Sequence, residues 1–452
     1  MRMTLIHPAI GHRAGENYIR TWQMEPLSVA AIVGLTPPEV ELCFHDDRME
    51  TIPFDEPTDV VVMSVETYTA KRSYQIASEY RRRGVPVIMG GFHATLAPDE
   101  VERFAEAVVI GEAEGIWDEV LDDLRHGTLK KRYRAEAPPS MEAVRYDRRL
   151  FKGKSYLPVR LVEMGRGCRF PCEFCAIQTF FNRTHRARPL DRILSELREL
   201  KSKAKLFFFV DDNFASDIEA TKDFLRALAP LGIRWVTQMS IQAARDEEFL
   251  HLLVQSGCKG ALIGFESLVE ANLKDMNKGF NAQQGGFGPA LANLRRHGLR
   301  VYGTFVFGYD HDTEASFRDA VEFALDHRFY IAAFNHLTPF PGTPLYHRLE
   351  SEGRLRFGAW WLDDRYRYND VPFTPNGLRA EDITRLCVAS RKDFYAWPNI
   401  LRRGFDAVNR SDGFMFRNFF PINSLHRGDV SQRNGYPLGD ETWRGTLLEA
   451  SR

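Results

Sequence analysis

Short apolar runs alternate with helix-length stretches along most of this chain, and that alternation limits the fold more than any other feature. In the first 130 residues, MTLIHP, VELCFHDD, TDVVVMSVET, VPVIMGG and AVVIG read as strands. Between them, PLSVAAIVGLTP, AKRSYQIASEYRRRG, PDEVERFAEA and EGIWDEVLDDLRHG read as helices closed by Gly or Pro. Such spacing implies parallel βαβ units, because a crossover helix is what returns the chain to pair in the same direction. The expected closure is a doubly wound α/β sheet of flavodoxin or Rossmann type, over residues 1–135. Ligands on such sheets sit beyond the strands' C-terminal ends. The candidates there are Asp46 and Asp47, Ser64 to Thr67, Gly90 and Gly91, and Gly111 to Glu114.

Residues 136–160 are charged, Pro-punctuated and without a sustained period, which marks a linker. A second βα series fills 161–355, with strands in VRLVEMG, KLFFFVDD, RWVTQMS, CKGALIGFES, RVYGTFVFG and IAAFNHLTPFPGTP. About six strand–helix repeats without a hairpin imply a complete or partial (β/α)6-like barrel, whose strand ends converge on one face. Residues 356–452 change character and are expected to form a mostly helical cap. The last twenty residues carry no usable pattern.

Of 452 residues, Lys plus Arg is 60 and Asp plus Glu is 61, a net charge of -1. That balance shows no basic excess, so no nucleic-acid partner is expected. No apolar run is long enough to span a bilayer, and MRMTLIHPAIGHRAGENYIR does not read as a secretion signal. A soluble, cytoplasmic protein is the expectation.

Three of the six cysteines crowd into eight residues: Cys168-Arg-Phe-Pro-Cys172-Glu-Phe-Cys175, just after Gly165-Arg166-Gly167. Three thiolates on one loop can hold three corners of an iron–sulfur cube and leave the fourth iron open. A structural zinc would need a fourth ligand from afar, such as His185 or Cys258, because no second CxxC pair exists. Three inert buried thiols fit poorly with Pro171 and the charged neighbours of an exposed loop.

CxxxCxxC with Phe174 before its last cysteine, after the first strand of a βα barrel, resembles the radical S-adenosylmethionine (radical SAM) superfamily. FFFVDDNF, GALIGFESL, GTFVFGYD and HLTPFPGTPLY resemble its second, fourth, fifth and sixth strands, in order. The resemblance implies a 4Fe-4S cluster on Cys168, Cys172 and Cys175, with S-adenosylmethionine (SAM) on the open iron. It implies SAM contacts for Phe174, Asp211, Asp212, Asn213, Glu266 and Ser267. As residues alone, Asp211 to Asn213 equally suit a helix N-cap, and Glu266 a salt bridge to Lys274 or Lys278.

TDVVVMSVETYTAKRSYQIASEYRRRGVPVIMGGFHATLAPDE followed by AVVIGEAE resembles the cobalamin-binding domain that precedes many radical SAM barrels. The residues this implies are Ser64, Thr67, Gly90, Gly91, His93, Gly111 and Glu112. The DxHxxG pattern that supplies a cobalt-ligating histidine is absent, His45-Asp46-Asp47-Arg48 being different. The activity implied is cobalamin-dependent methylation of an unactivated carbon or a phosphorus centre in a small molecule. A one-electron reductant such as flavodoxin or ferredoxin is implied with it. Cyclisation, rearrangement or oxidation without methyl transfer is the alternative within the family. An iron–sulfur electron carrier or zinc-stabilised scaffold is the alternative outside it. Cys43, Cys258 and Cys387 read as core or strand-end thiols, and Tyr302 and Tyr309 as packing. Arg402, Arg403, Arg410 and Arg417 read as a solvated helix face.

Overall fold

Six parallel strands make the first sheet of the computed structural model, which describes residues 1–282 and 286–449. They are β1 (Arg2–His7), β2 (Glu41–Asp46), β3 (Val60–Ser64), β4 (Val87–Gly90), β5 (Ala107–Ile110) and β6 (Arg132–Arg134). Their order is β2-β1-β3-β4-β5-β6, parallel throughout. The chain reverses direction across the sheet between β1 and β3, so this is the doubly wound arrangement expected. VVVM in β3 and AVVI in β5 are apolar on both faces because both faces are covered. Helices α1 (Leu27–Leu35) and α3 (Trp117–His126) pack on one side, and α2 (Ala70–Arg82) on the other. Within α2, the buried Ser73 and Ser78 return their hydroxyls to the carbonyls of Thr69 and Tyr74, four residues back.

Two details depart from the pattern reading. PDEVERFAEA is helical only over Pro98–Val101, after which Phe104 and Ala105 turn inward to start β5. RYR gave no strand signal, yet β6 extends the sheet because the buried Tyr133 anchors it between two exposed arginines.

The second sheet has β7 (Arg160–Val162), β8 (Phe207–Phe209), β9 (Trp235–Gln238), β10 (Cys258–Glu266), β11 (Arg300–Phe307) and β12 (Ile331–His336). They pair consecutively and in parallel, and β7 and β12 remain edges, so the barrel is partial. Helices α4 (Leu190–Leu200), α5 (Ile218–Leu228), α6 (Glu247–Gln255), α7 (Gly288–Arg296) and α8 (Glu314–Asp326) cover the outside. In α4, Ile193, Leu194, Leu197 and Leu200 form the apolar stripe that packs on the strands. Along β11 and β12, Phe305, Phe307 and Phe334 are buried, whereas Val306 is half-buried and Asn335 exposed. Register aligns Tyr302 with Ile331, Thr304 with Ala333 and Val306 with Asn335. These alternate positions line an interior trough rather than a filled core. An antiparallel pairing of Gly165–Arg166 with Arg186–Ala187, absent from the pattern reading, flanks the cysteine loop.

After residue 355 the chain wedges against both sheets. Trp360, Trp361, Tyr366 and Leu438 join the core under α2. Ile383, Cys387 and Phe394 of α9 (Ala380–Phe394) join the barrel core instead. Helices α10 (Trp397–Gly404) and α11 (Gly413–Arg433) follow. The patternless tail pairs Gly439–Asp440 in parallel with Gly11–His12, and residues 450–452 lie outside the described range.

Arg403 corrects the solvated-face reading, for it is fully buried. Its guanidinium donates to the carbonyls of Phe329, Tyr330 and Phe394 and to Asn423, and lies 3.8 Å over the Phe394 ring. Burial pulls its pKa down to about 10. An isolated charge is tolerated there because carbonyl dipoles and the ring face replace its water. Arg403→Met leaves those carbonyls unsatisfied and is expected to cost about 3 kcal/mol or more. In a thermal melt it should lower Tm by several degrees, whereas Arg402→Ala, half-exposed beside it, should leave Tm unchanged.

Candidate active site

The loop after β7 is held by carboxylates that arrive from the end of β8. Asp211 accepts the backbone N–H of Gly165 at 2.6 Å and that of Met164 at 3.2 Å, one on each oxygen. Asp212 accepts the N–H of Gly167 at 2.7 Å. Gly167 has φ +88°, and a Cβ there would collide with the Thr184 carbonyl, so the turn into Cys168 admits only glycine. Asn213 accepts the N–H of Ser240 at 3.2 Å, and its side chain also hydrogen-bonds the Cys168 thiol. None of the three caps a helix; Asp217 caps α5 by accepting from Ala220. Burial pushes Asp211 up to about 8 against the opposing pull of the Met164 and Gly165 amides. It pushes Asp212 up to about 6.

Burial also raises all three loop thiols, Cys172 to about 12. The main opposing influence on Cys172 is the charge of Lys278, a mostly buried ammonium that donates to Glu266 at 2.6 Å and to the Gly264 carbonyl at 3.2 Å. Glu266 ends β10 with φ +64°, at a register shift against β11 between Gly264 and Glu266. A Cβ on Gly264 would overlap the Glu266 carboxylate and lie 2.8 Å from Lys278 Nζ, so glycine there makes room for the ion pair. The Lys278 alternative for Glu266 is therefore present and the Lys274 one is not. Ser267 accepts the N–H of Val269 and opens the next turn. The sequence offered Lys278 only as a salt-bridge partner for Glu266; that the same ammonium lies beside the cysteine loop carried no sequence signal.

The three loop sulfurs suit a multi-iron cluster better than one zinc. Tetrahedral zinc with bonds near 2.3 Å needs its sulfurs about 3.8 Å apart. Among the described residues, the trio of ligand atoms within 4.8 Å of one another is Cys43, His45 and Glu56, not the loop thiols. Cys258 stands at the opposite end of β10 from Glu266, eight steps or about 26 Å of strand away. It cannot serve as a fourth ligand. His185 is half-buried, and its Nε2 has no hydrogen-bond partner. Cys43 is half-buried in β2, 3.3 Å from His45, rather than in the core.

The residues singled out on the first sheet gather at the C-terminal ends of β3, β4 and β5. They are not equally open. His93 is fully buried, 3.3 Å from the Thr67 hydroxyl and 3.1 Å from Glu100, so both act as an interior latch. Glu112 is engaged by Arg166, at 2.8 Å, and by Arg186. Glu114 and Glu163 also pair with Arg166, which fastens this edge to the cysteine loop. That tie escaped the sequence reading because its partners are about fifty residues apart. Ser64, Gly90, Gly91 and Gly111 form the remaining edge; space in front of Gly111 is open. Phe92, next to Gly91, packs on Phe180 with centroids 4.4 Å apart, just beyond Cys175.

The two sheets thus point their C-terminal edges at each other. Between them lies a cavity of about 240 Å³. Its walls include Tyr68 after β3, Phe174 of the cysteine loop, Asn335 of β12, Phe340, and Tyr368 and Arg391 of the cap. Tyr309 packs with its hydroxyl on Glu173, at 3.0 Å, beside this loop.

The Radical SAM superfamily model matches residues 162–324. Bacteriochlorophyllide d C-12(1)-methyltransferase of Chlorobaculum tepidum is 31% identical over 392 residues, covering 84% of each chain. The anaerobic magnesium-protoporphyrin IX monomethyl ester cyclase of Cereibacter sphaeroides is 23% identical, over 78% of this chain and 64% of its own. Among solved structures, the radical S-adenosylmethionine methyltransferase TsrM of Kitasatospora setae, with cobalamin and a [4Fe-4S] cluster bound, superposes with TM-score 0.68. It is 16% identical and covers 95% of this chain and 100% of its own.

Because the pKa of Asp211 is raised, the folded chain holds that proton more tightly than the unfolded chain does. Its stabilising contribution is full below about pH 4 and is lost as pH rises towards 8. Melts of the cluster-free protein should therefore show wild-type Tm falling relative to Asp211→Asn between pH 5 and 8. Parallel Tm curves would contradict the assignment.

Proposed function

This chain belongs to the radical SAM superfamily, and on that premise we propose that it is a cobalamin-dependent methyltransferase acting on an unactivated carbon or phosphorus centre. Cys168, Cys172 and Cys175 would hold the [4Fe-4S] cluster, with SAM in the trough beside them. The cluster and SAM together supply one-electron, hydrogen-abstracting chemistry, and cobalamin supplies a methyl carrier.

The chain's own residues do the rest. Each loop thiol must lose the proton on its Sγ to become a ligand, and burial opposes that loss. The Lys278 ammonium offsets part of the opposition at Cys172. Asp211 and Asp212 fix the loop backbone, so the three sulfurs keep one arrangement when ligands bind. One Asp212 oxygen accepts the Gly167 amide, and the other is the acceptor we assign to the SAM ammonium. Asn213, Phe174, Glu266 and Ser267 complete the SAM surroundings in this proposal. Residues 1–135 would bind cobalamin along Ser64, Gly90, Gly91 and Gly111, with Thr67, His93 and Glu112 shaping that edge from behind. The barrel is assigned to 161–355, the cap to 356–452, and 136–160 to the connection. A small molecule is the substrate, and a reductant such as flavodoxin or ferredoxin is the electron source. Among the described residues no helix is long and apolar enough to cross a membrane.

One observation carries this reading: Tyr68 of the first sheet and Phe174 of the cysteine loop line the same cavity. A methyl carrier on one edge and a radical source on the other would therefore reach one substrate. Radical cyclisation or oxidation without methyl transfer is the second reading, supported by likeness to the cyclase. After anaerobic cluster reconstitution with hydroxocobalamin, SAM and dithionite, wild type should make 5′-deoxyadenosine and S-adenosylhomocysteine. Cys172→Ala should make neither, a loss of at least about a hundredfold. 5′-Deoxyadenosine without S-adenosylhomocysteine, in protein that retains no cobalamin, would favour the second reading.

A further inference from the structure

The cavity between the two sheets carries one formal charge that the protein leaves unbalanced. Arg391, on α9, is 8% exposed and lines the cavity. Its Nε donates to the Phe334 carbonyl at 2.8 Å, Nη1 to Asn369 Oδ1 at 3.1 Å and Nη2 to Asn335 Oδ1 at 3.0 Å. All three acceptors are neutral. Among the described residues no carboxylate lies within 4 Å of the guanidinium, whereas the buried Arg48, Arg72 and Arg188 each have one. Arg300 and Arg403 also lack one, but they are bonded to carbonyls away from this cavity. A guanidinium has five N–H groups, so Arg391 keeps one unused at each Nη.

A second donor beside it is also unused. Asn369 is 3% exposed and lines the same cavity, and its Nδ2 has no hydrogen-bond partner. Its amide orientation follows from Arg391, which can only donate and so requires Oδ1. His336, which lines the cavity too, adds no second cation, because burial pulls it down to about 4. The polar end of the cavity is thus a cluster of donors without an anion. A buried charge and a buried amide left this way are costly, and a ligand acceptor removes both costs. The remaining wall is aromatic, with Tyr68 and Tyr368 centroids 5.3 Å apart and Tyr68 and Phe340 6.0 Å apart.

We propose that Arg391 and Asn369 anchor a carboxylate of the substrate, and that the enclosed part of this substrate is a flat ring system against Tyr68, Phe340 and Tyr368. The inference rests on the cavity being the substrate site of the proposed methyltransferase. At about 240 Å³ it lies below the usual 300–1,000 Å³ range of ligand pockets, so it encloses one or two fused rings. The carboxylate fork matches the two free Nη N–H groups, and Nδ2 of Asn369 adds a third donor.

Calorimetric titration of the full-length, cluster-reconstituted protein with benzoate, 2-naphthoate and indole-3-propionate, each beside its primary amide, tests this. At least one carboxylate should bind about tenfold or more tighter than its amide. Arg391→Lys should keep part of that preference, and Arg391→Met should reduce it to less than about threefold. Asn369→Asp places the missing counter-charge in the same shape. It should raise Tm and abolish the preference together, which loss of folding cannot do. The inference is overturned if no carboxylate is preferred in wild type, or if Asn369→Asp leaves the preference intact. Wild-type 5′-deoxyadenosine formation separates the two levels. Cleavage without carboxylate preference sinks the anchor alone, and preference without cleavage sinks the function and leaves the anchor standing.

Discussion

The grip of Asp211 and Asp212 on the backbone of residues 164–167 is the interaction on which the rest of this site depends. It joins the end of β8 to the loop after β7, and so ties the two motifs that define the barrel mouth. Asp211 is buried and Asp212 half-buried, and the cost of removing them from water is met by main-chain N–H groups that would otherwise lack acceptors. A loop that must present three thiols in one arrangement gains from anchors that do not move with solvent. The same loop is held on its other side by Arg166, whose partners Glu112 and Glu114 belong to the first sheet. The cysteine loop is therefore clamped between two α/β units.

The cap completes the enclosure. Its tryptophans pack under α2 of the first sheet while α9 packs into the barrel core, so a single segment spans both units. Arg403 holds its second helix to the barrel by donating to carbonyls at the start of β12 and the end of α9. Arg391 on α9 also bonds a β12 carbonyl, but keeps donors facing the cavity. Two buried arginines on neighbouring cap helices thus differ in what they do. Arg403 makes two contacts to the protein at each Nη and leaves only Nε without a partner, whereas Arg391 makes one at each Nη.

Much of this was legible in the residues. Apolar runs such as VVVM and FFF and their helical partners determine both parallel sheets, because a strand covered on both faces must be apolar throughout. The CxxxCxxC spacing and the DD after β8 also lay in plain view. What the second motif does was not legible: its carboxylates face backbone amides forty-five and more residues away, and local pattern cannot show that. RYR at β6 escaped because an edge strand needs only one buried residue. Arg403 was misread because charge is ordinarily a surface signal, and only tertiary packing supplies the carbonyls that make its burial tolerable. The Arg166 network escaped for the same reason, since Glu112 and Glu114 lie more than fifty residues before it, whereas the Glu266–Lys278 pair was among the salt bridges the residues suggested.

The central claim is that Cys168, Cys172 and Cys175 hold a four-iron cluster with one iron left open for SAM. Mössbauer spectroscopy of anaerobically reconstituted, 57Fe-enriched protein tests it most directly, recorded before and after SAM is added. The account predicts four irons per chain, one of them distinct from the other three, with that one alone shifting when SAM binds. Four equivalent irons unaffected by SAM, or a chain that retains zinc and no iron, would contradict it.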